Sequence, residues 1–154
     1  MNKRIIARHI TRAVIVGLLG LALPAIIVLA RAQEKTAPPA AASQLAKELI
    51  GTWVLVGKPG EVGEVPAAGG RLKFFTGKHW AITQADAKTG VTVYHHGGTY
   101  VLEGNEYVET VEYANDSTKE LIKQTFKFTL KIEGDTLTQT GIGNPFTEVW
   151  KRAN

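Results

Sequence analysis

From Leu72 to Arg152 apolar and polar residues alternate with a period of two, interrupted at short intervals by glycine, asparagine, aspartate or proline. That period sends successive side chains to opposite faces of an extended backbone, so it predicts half-buried β-strands. Strands are expected at Leu72–Thr76, His79–Gln84, Val91–His96, Thr99–Glu103, Glu106–Tyr113, Leu121–Glu133, Thr136–Gly141 and Thr147–Arg152, with an earlier one opening at Gly51-Thr52-Trp53-Val54-Leu55-Val56. Between them lie Thr76-Gly77-Lys78, Asp86 to Gly90, Gly104-Asn105, Asn115-Asp116-Ser117, Gly134-Asp135 and Gly143-Asn144-Pro145, all turn formers. Val91 to Glu103 also reads as one long strand bent at Gly97-Gly98, as a barrel corner requires. The stretch from Gly57 to Gly70 carries Pro59, Pro66 and glycines 57, 60, 63, 69 and 70, and is expected to be a long loop.

A two-residue loop fixes hairpin register, and the pleat then sorts side chains onto two faces. With Gly104-Asn105 as the loop, Leu102 faces Tyr107, Tyr100 faces Glu109 and Gly98 faces Val111. One face then holds His96, Tyr100, Leu102, Tyr107, Glu109, Val111 and Tyr113; the other holds Thr99, Val101, Glu103, Glu106, Val108, Thr110 and Glu112. The same logic at Gly134-Asp135 puts Phe126, Phe128, Leu130, Ile132, Leu137 and Gln139 on one face and a row of lysines and threonines on the other. Pairing Ala85 with Val91 adds Trp80, Ile82 and Tyr94 to the inward set. Such clean alternation is that of antiparallel sheet with one solvated face.

Ahead of the sheet the pattern changes. Met1 to Arg12 is basic, Ala13 to Ala30 is apolar, and Ala30-Arg31-Ala32 supplies small residues at alternate positions, so residues 1–32 read as a secretory signal cleaved before Gln33. The competing reading is an uncleaved anchor, since the apolar run approaches the ~20 residues that span a bilayer; Gly17, Gly20 and Pro24 weaken it. Residues 33–42, with Pro38-Pro39 and alanines, read as a flexible linker, and 43–154 as the folded domain. Ser43 is placed to N-cap a short helix through Leu49, with Leu45 and Leu49 on one face.

Charge changes meaning once the leader is set apart. The chain carries 18 basic and 14 acidic residues, a net +4, but Lys3, Arg4, Arg8, Arg12 and Arg31 all precede Gln33 and no acid does. The domain is therefore close to neutral, which gives no support to a nucleic-acid partner. Without cysteine there is no disulfide framework, thiolate metal site or cysteine nucleophile.

The Gly51-Thr52-Trp53 opening and the Glu148-Val149-Trp150-Lys151-Arg152 closing resemble the lipocalin superfamily, more closely small bacterial lipocalin-like proteins of uncharacterised function. The resemblance runs from about Leu49 to Arg152 and implies an all-β fold: a single antiparallel up-and-down β-barrel of the lipocalin-like, calycin type, with about eight to nine strands by turn spacing and a short N-terminal helix. It also implies a structural role for Trp53 and Arg152, the arginine stacked on the indole across the barrel floor. The mid-chain Thr-Asp-Tyr of carrier lipocalins is absent, which sets this chain apart from them and from their ligand preferences.

The inward face is mostly aromatic and aliphatic with a few polar groups, the composition of a small-molecule pocket. Trp80, Tyr94, His96, Tyr100, Tyr107, Glu109, Tyr113 and Gln139 are the candidate ligand-binding residues, with Gln124 and Glu148 as further polar candidates. Glu109 stands out, because a carboxylate on an apolar face is costly unless paired, hydrogen-bonded or hydrated. Tyr100 opposite it is expected to donate a hydrogen bond, and on that reading Glu109→Leu stabilises the empty barrel. The function expected is an exported barrel, periplasmic or secreted, that binds a small hydrophobic or amphipathic molecule, with no cofactor and no membrane association after cleavage. Two alternatives stay open: an isomerase- or lyase-type enzyme using Glu109, Tyr100 and His96 as acid and base, and a side-chain-filled barrel that docks another protein. A metal site at His79, His95 and His96 is disfavoured, because neighbouring strand residues point to opposite faces.

Overall fold

The computed structural model describes residues 40–153, with side chains from Gln44 onward. The leader expected at 1–32 and most of the linker at 33–42 lie outside the described residues. Helix α1 spans Ala40–Leu49, beginning three residues before the expected Ser43 start. Among the described residues no helix is long and apolar enough to cross a membrane.

Nine strands follow: β1 Gly51–Lys58, β2 Glu61–Val62, β3 Leu72–Phe75, β4 His79–Ala85, β5 Thr92–Glu103, β6 Glu106–Ala114, β7 Thr125–Glu133, β8 Thr136–Ile142 and β9 Glu148–Arg152. Every pairing is antiparallel, consecutive strands from β3 to β9 are neighbours, and β1 pairs with both β3 and β9. The sheet is therefore a closed barrel of eight strands with β2 as a short addition on β1, and closure leaves no long unpaired edge.

The hairpin registers match the sequence reading closely. Leu102 pairs with Tyr107, Tyr100 with Glu109 and Gly98 with Val111, while Leu130 pairs with Gln139 and Ile132 with Leu137. Three differences have local causes. Two residues of the expected loop at 57–70 form β2, which folds back on β1 through Gly57↔Val62, and Pro66 and Gly70 then lie beside Val54 on the barrel's exterior. The strand expected from Leu121 starts only at Thr125, because Lys119–Leu121 form a 3-10 turn, and Lys123 adopts a positive φ of 70° that breaks extended structure. Between β4 and β5, Ala85 pairs with Thr92 rather than Val91, with a register shift beside it. Asp86 caps that turn, its Oδ1 accepting from Lys88 N, Thr89 N and Thr89 Oγ1 at 3.1, 2.8 and 2.9 Å.

The bend in β5 falls at Gly97-Gly98, where β6 carries one extra residue. A Cβ on Gly97 would meet the Tyr113 hydroxyl and the Trp80 carbonyl, and one on Gly98 would meet the Thr110 carbonyl. Backbone crosses too closely there for any side chain.

One end of the barrel is filled by Leu49, Trp53, Phe75, Tyr107, Leu130, Leu137 and Trp150, all buried, with Leu45 of α1 packed against them. The Arg152 guanidinium carbon sits 4.2 Å above the centre of the Trp53 ring. Its Nη2 donates to the Glu48 carbonyl at 2.6 Å and its Nη1 to that of Ile50 at 3.3 Å, while Trp53 Nε1 donates to the Leu49 carbonyl at 2.9 Å. A cation and an indole N–H thus satisfy carbonyls left over at the C-terminus of α1, where a positive charge also suits the helix dipole.

Candidate functional site

The opposite end is built differently. Beneath it lies Lys73 on β3, 1% exposed, its side chain running inside the barrel. Its place follows from the β3–β4 hairpin: Phe75 pairs with Trp80 and Lys73 with Ile82, so Lys73 shares the inner face with Phe75. Lys73 Nζ donates to Glu109 Oε2 at 2.7 Å and to Gln139 Oε1 at 3.0 Å, and Tyr107 OH donates to the same Glu109 oxygen at 2.8 Å. The rings of Trp80, Phe75, Tyr107, Phe128 and Trp150 surround the ammonium, with centres 4.9 to 5.9 Å away. A buried ammonium in contact with a carboxylate and surrounded by several rings has its charge compensated by both, and Lys73 also borders a cavity.

That cavity encloses about 40 Å3 and opens to solvent between the β4–β5, β6–β7 and β8–β9 connections. Lys73, Glu109 and Gln139 form its floor; Trp80, Ile82, His96 and Phe128 its lower wall; Tyr94, Leu121, Phe126, Phe146 and Glu148 its upper wall. Phe126 and Phe146 meet edge to face, 5.4 Å between centres, and Phe146 is 42% exposed at the mouth. Tyr94 lies under Arg71, whose guanidinium carbon is 4.0 Å from the ring centre and whose Nε donates to Gln84 Oε1 at 3.1 Å. The β6–β7 connection across one side is tied down, Asn115 N donating to the His95 carbonyl and buried Thr118 donating its hydroxyl to the same oxygen, both at 2.8 Å.

Burial sets the ionisation of these groups. His96, wedged against Trp80 and Tyr94, has its pKa lowered to about 4, first by loss of hydration and then by the charges of Lys73, Arg71 and His95, so the imidazole is neutral at pH 7. Its Nδ1 is buried with no hydrogen-bond partner among the described residues. Burial raises the Glu148 carboxyl, Lys73 pulls it back down, and Glu109 pushes it up again. The Trp150 indole N–H comes near Glu148 but forms no hydrogen bond of good geometry and is likewise unpartnered. The Tyr107 hydroxyl is held well above the usual range, by burial first and then by the Glu109 carboxylate beside it.

Of the eight residues the sequence nominated, Trp80, Tyr94, His96, Glu109 and Gln139 meet at this cavity. The other three do not line it. Tyr107 is wholly buried beneath the floor, where it holds Glu109. Tyr100 lies toward the α1 end, edge-on to Phe75 at 5.7 Å and beside Ala46 and Ile50, and the hydrogen bond expected from it to Glu109 is absent; Lys73 and Tyr107 occupy that carboxylate instead. Tyr113 is 44% exposed on the outer surface, because the extra residue in β6 beside Gly97-Gly98 reverses the inside–outside phase after Val111. Gln124 is also outside, donating to the Glu120 carbonyl at 2.6 Å. The acid–base grouping of Glu109, Tyr100 and His96 is thus not assembled. Among the described residues no three of His, Cys, Asp and Glu are grouped to hold a metal ion. Lys73 was missed, although the register rule applied at Gly77-Lys78 finds it.

No protein-family model matches the chain, and no curated protein does. Among solved structures, it is similar to a lipocalin-like protein from Bacteroides uniformis, at 14% identity and a TM-score of 0.52, over 69% of this chain and 99% of that one. A second similar structure is an uncharacterized protein from Bacteroides eggerthii, at 15% identity and a TM-score of 0.49, over 68% of this chain and 99% of that one. With the closed eight-stranded sheet, the first of these establishes a lipocalin-like barrel fold.

Proposed function

We propose that this barrel binds a small amphipathic molecule at its open end, with the apolar part along the rings of the mouth and a polar end group reaching the floor. One observation carries the reading: an aromatic-walled cavity ends on a buried Lys73–Glu109–Gln139 cluster rather than on packed hydrocarbon. An ion pair in that place is no aid to stability, since well-packed apolar residues serve a core as well or better. The enclosed space is far below the ~300 to 1,000 Å3 of pockets that swallow a drug-sized ligand. A wholly apolar molecule held deep inside the barrel therefore does not fit, and only the end of a ligand reaches in.

The same proposal includes export through the leader at 1–32 and a place of action in the periplasm or outside the cell, supported by the basic, apolar and small-x-small order of that segment. Amino-terminal sequencing of fractionated material is expected to begin at Gln33; a start at Met1 in the membrane fraction would count against export as a free protein. For binding, native mass spectrometry of protein purified from its own host is expected to show a co-purifying small molecule that is lost on denaturation. Protein that carries nothing, and whose tryptophan emission ignores every amphipathic compound tried, would end the binding reading.

A further inference from the structure

We infer that the cavity floor is built for an uncharged end group that both accepts and donates hydrogen bonds, of the carboxamide class: a primary amide, a lactam or a urea. This rests on the reading of the cavity as a binding site and adds what the site selects.

The argument starts from Gln139, buried to 1% exposure. A lysine ammonium only donates, so the 3.0 Å contact from Lys73 Nζ fixes the amide with Oε1 toward Lys73 and Nε2 turned away. No described residue accepts from that Nε2, and Gln139 lines the cavity. Lys73 has three N–H bonds and uses two, on Glu109 and Gln139. Donors therefore point into the space from two neighbouring side chains, and a carbonyl oxygen there answers both.

Acceptors face the same space. Glu109 takes both of its hydrogen bonds on Oε2, leaving Oε1 without a partner among the described residues. His96 also lines the cavity wall, and a neutral imidazole has one ring nitrogen that can accept. An N–H on the same end group answers these.

Charge decides against the alternatives. Lys73 and Glu109 already neutralise one another at 2.7 Å. A carboxylate end group would be a second anion beside Glu109; an ammonium would be a second cation beside Lys73. On the floor either is left without its own counterion, since Glu148 stands higher on the wall with its carboxyl raised by burial, and unpaired charge there is strongly disfavoured. About 40 Å3 of enclosed space admits a group of a few non-hydrogen atoms, which is what a carboxamide is.

Calorimetric titration of the full chain at pH 7 with octanamide, octanoate and octylamine tests this, since the three share a tail and differ only in the end group. Octanamide is expected to bind about tenfold or more tightly than either charged homologue, the discrimination that unpaired buried polar groups impose. Gln139→Glu keeps an acceptor for Lys73 but removes both N–H donors, and is expected to erase the amide's advantage. Equal affinity for all three, or tightest binding of octanoate or octylamine, overturns the inference while leaving a binding site in place. No binding by any of the three overturns both.

Discussion

The two ends of this barrel are made from the same alternating strands yet are finished in opposite ways. At the α1 end the inward side chains are apolar or aromatic, and Trp53 Nε1 and the Arg152 guanidinium are used up on carbonyls at the end of the helix, although the Trp150 indole N–H has no partner among the described residues. At the other end the inward positions are Lys73, His96, Glu109, Gln139 and Glu148, and among the described residues His96 Nδ1 has no partner. Polar groups are costly in a core, so an end that gathers five of them and leaves one buried nitrogen unpartnered is not arranged for stability alone. The contrast separates a plugged end from an open, polar-floored one within one continuous sheet.

If that division holds, the plug is where stability is most easily lost. Trp53→Ala is expected to cost about 4 kcal/mol in urea unfolding, through the cavity left behind and the loss of the surface on which Arg152 rests. Losing less than about 1 kcal/mol would mean the ends are not so different.

Next in size is the ion pair. Glu109→Leu strands the Lys73 ammonium and takes the acceptor from Tyr107, so about 3 kcal/mol of destabilisation is expected. This reverses the sequence expectation that Glu109→Leu stabilises the barrel, because Lys73 had not been placed inside. The double change Lys73→Met with Glu109→Leu is expected to unfold within about 1 kcal/mol of the parent, or above it, while losing ligand binding.

A smaller effect, on the order of 1 kcal/mol after allowance for solvent screening, belongs to His96. The unfolded chain takes up this proton near pH 6.5, but the folded protein resists it until about 4. Between those values the unfolded state binds more protons, so stability falls as pH is lowered through the window. Glu148 has its folded pKa raised and so contributes in the opposite sense. Subtracting the urea-midpoint profile of His96→Gln from that of the parent is expected to isolate the histidine slope; a flat difference would show that His96 is not held neutral.

Smallest for the fold is Phe146→Ala at the mouth, expected to shift stability by no more than about 0.5 kcal/mol, as exposed positions do. Ligand affinity is where it should tell, with octanamide binding weakened several-fold in the same titration. Intact affinity would mean the mouth rings take no part.

How far the sequence alone carried the structure depended on where hydrogen bonding is periodic. Two-residue turns such as Gly104-Asn105 lock a register, and the inward Tyr107, Glu109, Phe128, Leu130 and Gln139 all follow from them. The extra residue beside Gly97-Gly98 is a bulge that periodicity cannot reveal, and it carried Tyr113 to the outside. Tyr100 shows a second limit: a residue can lie on the correct face and still be at the wrong end, since register gives the side but not the depth at which other groups intervene. Lys73 shows a third. A lysine beside Leu72, Phe74 and Phe75 looks like the solvated member of a strand; alternation puts it on one face with Phe75, and only the hairpin at Gly77-Lys78, which sets Phe75 opposite Trp80, reveals that this face is the inner one.

The pairing of β1 with β9 has a consequence for how the barrel comes to exist. Trp53 finds Arg152 only after almost the whole domain has been made, because the strand that closes the sheet, β9, is the last of the nine in chain order. Until then β1 and β8 both present open edges, and neither half of the sheet can shield its inner rings. Contacts this distant in sequence fold slowly, on the order of milliseconds to seconds for sheet proteins of this kind. A ribosome stalled before Glu148 would hold an unclosed, edge-exposed sheet, so completion of this fold waits on β9.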